Sequence, residues 1–296
     1  MRLSHLTRIA VAAAAVVLTA TACGGGGSGS DGGPAPAEAP AFAAGSTMAR
    51  LSAAGTMNIG TKFDQPGFGL LGLDGTPAGF DVEIAKIIAG KLGIAPDRIT
   101  WTETPSAVRE EVIEQGRVDL VAATYTINDM RKERIAFAGP YYEAGQTLMV
   151  RSDDTTVTGP ESLRAAGSRV CSVAGSTPSQ KILEFVDQSR LTLFDVYTKC
   201  ADALRTNQVD VVTTDNVILL GFVNSSNGGF KLVGATFTEE PYGIGITKGD
   251  VAFCEFINTT LTEAAASGAY AAAWESTAGE IADVTTPELP ALAPCV

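Results

Sequence analysis

Thr124, Thr126 and Arg131 stand close together, just after the apolar run of residues 118–123 (Val-Asp-Leu-Val-Ala-Ala). Such a run reads as a buried strand that ends near Thr124. Small hydroxyl side chains at a strand's carboxyl end, with an arginine shortly after, can converge on one point. In open α/β sheets, ligands sit in the crevice beyond those strand ends. There the planar fork of Arg131 suits a carboxylate held by two parallel hydrogen bonds. Taken alone, Arg131-Lys-Glu-Arg134 could equally be a solvated charged loop. The choice between the two rests on what the rest of the chain builds around this segment.

Strand and helix alternate on both sides of it. Residues Met57–Thr61 and Ile99–Glu103 read as strands. Residues 79–93 carry Val82, Ile84, Ile87, Ile88 and Leu92 near helical spacing, and Gly93 suits the stop. A helix is expected over about 105–115, with Thr104 as its cap, Pro105 in its first position and Gly116 past its end. The strand at 118–124 follows. The rhythm restarts after residue 150, with strands at 169–173, 191–196 and 209–213 and helices at 176–186, about 199–206 and 215–222. Residues 242–247 read as a strand returning to the first half. Alanine-rich helices at 251–266 and 270–275 come next, and Trp274 is expected to close that half's core. Strands separated by helices predict parallel sheets with right-handed crossovers. Two halves of similar build predict two α/β lobes with a cleft between them.

The N-terminus fixes where these lobes work. Residues 1–22 read as a lipoprotein signal peptide, with Arg2 and Arg8 as a basic start and an apolar, alanine-rich run after them. That run is shorter than the roughly 20 residues a membrane-spanning helix needs. It ends Leu18-Thr-Ala-Thr-Ala-Cys23, which is similar to a bacterial lipobox, although Ala20 stands where an aliphatic residue is usual. Cys23 is the expected lipidation site, acylated with palmitate; ordinary cleavage leaving a free thiol is the alternative. Residues 23–48 are rich in Gly, Ser, Pro and Ala and predict a flexible tether. The expected location is the extracytoplasmic face of the cell membrane, with the domain held there by its lipid.

Composition narrows the chemistry. The net charge is −12, and loss of the leader's two arginines makes the mature chain two units more acidic still. So acidic a chain argues against nucleic acid as a partner. The single histidine is His5, inside the leader, so the mature chain cannot run Ser-His-Asp or Cys-His catalysis. Apart from Cys23, the cysteines are Cys171, Cys200, Cys254 and Cys295, an even set open to three pairings in an oxidising compartment. Pairing Cys171 with Cys200 and Cys254 with Cys295 keeps each bridge within one expected lobe. A metal site is the rival reading, but no Cys-x-x-Cys spacing exists, and no metal or cofactor is expected.

Five motifs then occur in order: Gly79-Phe-Asp-Val, Gly116-x-Val-Asp119, Thr126-x4-Arg131-x5-Phe137-x2-Pro140-Tyr141, Gly175-Ser-Thr and Tyr242-Gly-Ile. Together they resemble the polar amino-acid-binding proteins of ABC importers, over about residues 50–280. Ser106-Ala-Val-Arg109 and Thr61-Lys62 look closest to the glutamate/aspartate-binding branch. The resemblance implies a type II periplasmic-binding-protein fold. Lobe 1 would hold residues 49–145 and 240–296, lobe 2 residues 146–239, with a two-strand hinge near 143–150 and 236–243.

The same resemblance implies a site. Arg131 would hold the α-carboxylate, helped by the hydroxyl and amide of Thr126, and the Thr124 carbonyl would face the ammonium. Ser176 and Thr177 would add donors at a helix N-terminus, Pro178 having none to give. Asp215 would pair with the ammonium, while Lys62, Ser106 and Arg109 would surround the distal side-chain group. Arg109 beside Glu110 and Glu111 could instead be a solvated pair, Lys62 could point to solvent, and Ser106 could serve only the helix start. Three cations against one carboxylate favour an acidic ligand, L-glutamate ahead of L-aspartate, over glutamine or asparagine. Phe63, Phe68 and Tyr125 are candidates to pack on its carbon chain. Thr214 stands where relatives often have histidine or an acid, and Asn128 and Met130 are expected outside contact with the ligand. The resemblance also implies a monomer that delivers its ligand to ABC permease subunits. An enzyme on the same scaffold needs a cleft acid with a raised pKa and a partner, and no such pair is evident. An amino-acid-sensing receptor subunit is the remaining alternative.

Overall fold

The structure is a computed structural model that describes residues 41–281 and 285–296. The signal peptide, Cys23 and most of the expected tether lie outside the described residues. The end of that tether is ordered: Thr47–Ala54 is a helix whose Ser46 cap accepts from the Ala49 amide at 3.1 Å. Met48 and Leu51, one helical turn apart, bury their side chains, and Phe42 packs edge-on against Phe256. The folded body therefore begins before residue 49.

Two five-stranded sheets follow, built to one plan. The first runs Ile99–Glu103, Met57–Thr61, Leu120–Val121, Glu240–Ile246, Ala136–Ala144. Its first three strands are parallel, and Glu240–Ile246 is antiparallel to both neighbours. The second runs Leu191–Phe194, Val170–Val173, Val211–Asp215, Gln146–Arg151, Phe230–Val233, again with three parallel strands and the fourth antiparallel to both neighbours. Each sheet carries its own helices and its own core, so the protein is two α/β lobes. The chain passes between them at Gly145 and again between Val233 and Glu240. These two passes touch: a Cβ on Gly145 would lie 2.8 Å from the Thr238 carbonyl oxygen, so only glycine fits there.

Two sequence expectations fail locally. The strand expected over 118–124 shrinks to Leu120–Val121, and beyond it Thr124 takes φ 44°, a left-handed conformation outside the strand region. Thr104 caps no helix. Its hydroxyl donates to the Thr61 carbonyl at 3.0 Å, and the following helix starts as a 3₁₀ turn, Ser106–Val108, before Arg109–Glu114.

Helix Phe80–Lys91 presses Phe80, Ile84, Ala85 and Ile88 into the first core. Each large apolar side chain buried there contributes about 1.5–3 kcal/mol. Trp274 does close that core, stacking on Tyr142 at 5.1 Å. Phe68 meets Phe80, Tyr142, Tyr242 and Trp274 edge-on and is core, not ligand wall. Cys171 pairs with Cys200 and Cys254 with Cys295.

Candidate functional site

Where the carboxyl ends of the strands face each other, a small, partly open pocket of about 10 Å³ lies between the lobes. The first lobe contributes Gln65, Ser106, Arg109, Thr124 and Thr126. From the second come Ser176, Thr177, Tyr197, Thr214 and Asp215, with Pro178 and Ile218 beside them. Residues distant in sequence meet here because most lie at a strand end or near the start of a helix.

The cations come from the first lobe. Lys62 is 3 % exposed, and its ammonium donates to the Ser106 hydroxyl at 2.9 Å. Burial, then Arg109, push its pKa down to about 7. Arg109 is 2 % exposed and lies over the Tyr125 ring at 4.1 Å. One of its terminal nitrogens donates to the carbonyls of Ala123 and Thr124 at 2.9 and 3.3 Å, and its Nε has no partner. Among the described residues, neither Lys62 nor Arg109 has a carboxylate within ion-pair distance. So Lys62 does not point to solvent, Ser106 does more than start a helix, and Arg109 does not pair with Glu110.

Arg131 is buried too, but it faces a neighbouring outer cavity that it shares with Glu110 and Gly175. Its guanidinium donates to the Thr126 carbonyl at 2.5 Å and to the Gly175 carbonyl of the other lobe at 3.1 Å. Glu110 lies 3.3 Å from its Nε. Burial first, then Arg109, lower its pKa to about 10.

Asp215 ends the strand Val211–Asp215 and is 3 % exposed. One carboxylate oxygen accepts from the Tyr242 hydroxyl at 2.5 Å; the other has no partner. Burial, then Glu240, raise its pKa to about 7. A buried carboxylate with a free oxygen at the cleft is a ready acceptor for a cation.

The remaining expected residues are used locally. Ser176 caps helix Thr177–Lys181, its hydroxyl accepting from the Ser179 amide and donating to the Val173 carbonyl. The Thr177 hydroxyl donates to Glu240 at 2.7 Å and lies 3.3 Å from the Thr126 hydroxyl. The carbonyl of Thr124 accepts from Arg109, while its amide and hydroxyl reach Asp81 and Gln65 at 2.7 and 3.0 Å. Tyr125 lies beneath the two arginines, whereas Phe63 lines a separate groove on the first lobe.

Sequence reasoning missed Gln65, Asp81, Tyr197 and Glu240. Asp81 is fully buried between the Tyr141 hydroxyl at 2.6 Å and the Thr124 amide, and burial raises its pKa to about 7. Its motif, Gly79-Phe-Asp-Val, is visible in the sequence; its target, 43 residues on, is not. Glu240, on a strand joining the lobes, accepts from Thr177 and Thr238. Asp81, Glu110 and Glu240 also remove the simple cationic surplus counted from the sequence.

Two lobes that close on a small polar cavity define a cleft-binding protein. The chain belongs to the bacterial extracellular solute-binding proteins, family 3, whose family pattern matches residues 57–277. It is 41 % identical over 225 residues to the glutamate-binding protein GluB of Corynebacterium efficiens, covering 73 % of this chain and 76 % of that one. It is 36 % identical to the glutamine-binding protein GlnH of Bacillus subtilis, covering 76 % and 81 %. Among solved structures, an ancestral arginine-binding protein bound to glutamine superposes with a TM-score of 0.70 at 33 % identity, over 75 % of this chain and 97 % of that one. These relatives are binding proteins, not enzymes.

Proposed function

We propose that this protein captures an acidic amino acid, L-glutamate ahead of L-aspartate, between its lobes and hands it to the permease subunits of an ABC importer. One observation carries the choice of ligand. Arg109 lines the inner cavity, Lys62 is buried behind Ser106 of its wall, and neither has a carboxylate partner among the described residues. Desolvating a cation is unfavourable by several kcal/mol unless an anion completes it. A ligand with two carboxylates supplies that anion; glutamine leaves one cation unmet. The ligand's ammonium then has the unpartnered oxygen of Asp215.

Arg131 belongs to the same reading as the α-carboxylate fork. A carboxylate seated between Thr126 and Gly175 takes over the guanidinium nitrogen that now donates to the Gly175 carbonyl. Glu110 already meets part of the Arg131 charge, so the acidic preference rests on Lys62 and Arg109. Anchoring through a lipid on Cys23, at the outer face of the cell membrane, completes the proposal. The relatives named for glutamine favour glutamine as the second reading. Calorimetry separates the two: L-glutamate is expected to bind at micromolar or tighter dissociation constant, about −8 kcal/mol or better. Tighter binding of L-glutamine than of L-glutamate would overturn the acidic preference.

A further inference from the structure

Tyr197 sits where the lobes close on each other. It is 2 % exposed and lines the inner cavity, and no group hydrogen-bonds to its hydroxyl among the described residues. Buried hydroxyls are seldom left so, because losing water without a replacement partner is unfavourable. The hydroxyls of Ser172, Ser176 and Thr214 stand beside it, yet none completes a hydrogen bond with the phenol; Ser172 donates to the Thr213 carbonyl and Ser176 to the Val173 carbonyl. Burial first, then Asp215, raise the phenol's pKa to about 12, so it carries its proton as a donor.

The backbone of Tyr197 is fixed from the opposite lobe. Its amide opens helix Tyr197–Arg205, and Val196 offers no side-chain cap. Asp64 of the first lobe takes that place, accepting from the Tyr197 amide at 2.7 Å. Separating the lobes breaks this bond and withdraws the phenol from the cavity.

We propose that Tyr197 is a further ligand-contacting residue, whose phenol donates a hydrogen bond to a carboxylate of the bound amino acid, and that Asp64 positions it across the cleft. The ligand class rests on the acidic amino-acid reading; the contact itself rests on the orphaned hydroxyl.

The test is calorimetry of wild type and Tyr197→Phe with each of the twenty amino acids, L-glutamate, L-aspartate and L-glutamine first. Tyr197→Phe keeps the ring and removes only the oxygen. Affinity for the acidic ligand should fall about tenfold or more, while the Tm of the ligand-free protein stays level or rises. Unchanged affinity overturns the contact. Asp64→Ala should weaken binding several-fold, and Asp64→Ala combined with Tyr197→Phe should lose less than the product of the two single losses. Full multiplication of the losses removes Asp64 from the positioning role. If wild type prefers another amino acid, the acidic reading fails and the Tyr197 contact is judged with that amino acid instead. If wild type binds none of the twenty, both fall.

Discussion

Gly175 and Ala107 meet backbone to backbone across the cleft, and a Cβ on Gly175 would lie 2.7 Å from the Ala107 Cα. Gly175 also takes φ 77° and offers its carbonyl to Arg131 of the other lobe. A residue without a side chain thus allows the lobes to approach this closely here.

Gly175→Ala should therefore hold the cleft partly open. The clash falls on main-chain atoms that cannot swing aside, and the left-handed conformation adds roughly 1–2 kcal/mol of strain. Ligand affinity should drop at least about tenfold. Small-angle scattering should show a larger radius of gyration than wild type at saturating L-glutamate. An identical radius and affinity would mean that this contact does not limit closure.

Lys62→Ala separates acidic from neutral ligands. Removing a buried cation that faces a ligand carboxylate should weaken L-glutamate by roughly a hundredfold. L-Glutamine, lacking the second carboxylate, should change by less than about tenfold. Equal losses would place Lys62 away from the ligand's distal group.

Arg131→Ala addresses the other end of the ligand. A fork on the α-carboxylate serves every amino acid alike, so glutamate, aspartate and glutamine should all weaken by about a hundredfold or more. A loss confined to the acidic pair would move Arg131 to the side-chain subsite.

Affinity should be bell-shaped in pH, with its maximum near 7. In the empty cleft Asp215 is raised to about 7, mainly by burial, and a ligand ammonium requires it ionised. As pH falls below 7 it must lose a proton to bind, so affinity drops by up to about tenfold per unit. Lys62 is lowered to about 7, again mainly by burial, and a ligand carboxylate requires it protonated. Affinity therefore also drops as pH rises above 7. Asp215→Asn should flatten the acid limb and Lys62→Met the alkaline one, leaving a weaker but one-sided profile. Calorimetry across pH 5–9 reads both limbs.

Reduction should loosen the body more than the site. Cys254→Ser with Cys295→Ser opens a loop of 41 residues, worth about 4 kcal/mol in the chain-entropy picture. Tm should fall by roughly 10 °C, with affinity for L-glutamate within about threefold of wild type. A large loss of affinity would tie the C-terminal segment to the cleft.

Much of this architecture is legible in the amino-acid sequence. Strands Met57–Thr61 and Ile99–Glu103 have the bounds expected from their apolar runs, and they pair residue for residue. Local pattern decides such strands. Where a distant partner decides, the reading failed. Thr124 leaves the strand because Asp81 and Gln65, from other elements, hold its amide and hydroxyl. Tyr197 was passed over because nothing near it in sequence reports that its amide is capped from position 64. Phe68 is a ligand candidate from sequence because an aromatic after a strand looks the same whether it faces a cavity or four other rings.

The two cystine bridges lie one to a lobe, joining Val170–Val173 to helix Tyr197–Arg205 in one and helix Val251–Ser267 to the C-terminal segment in the other. Neither spans the passes at Gly145 and 234–239. Oxidation therefore hardens each jaw without locking the bite. A protein exposed to changing redox conditions can gain lifetime from both staples and still open and shut at the rate its substrate supply demands.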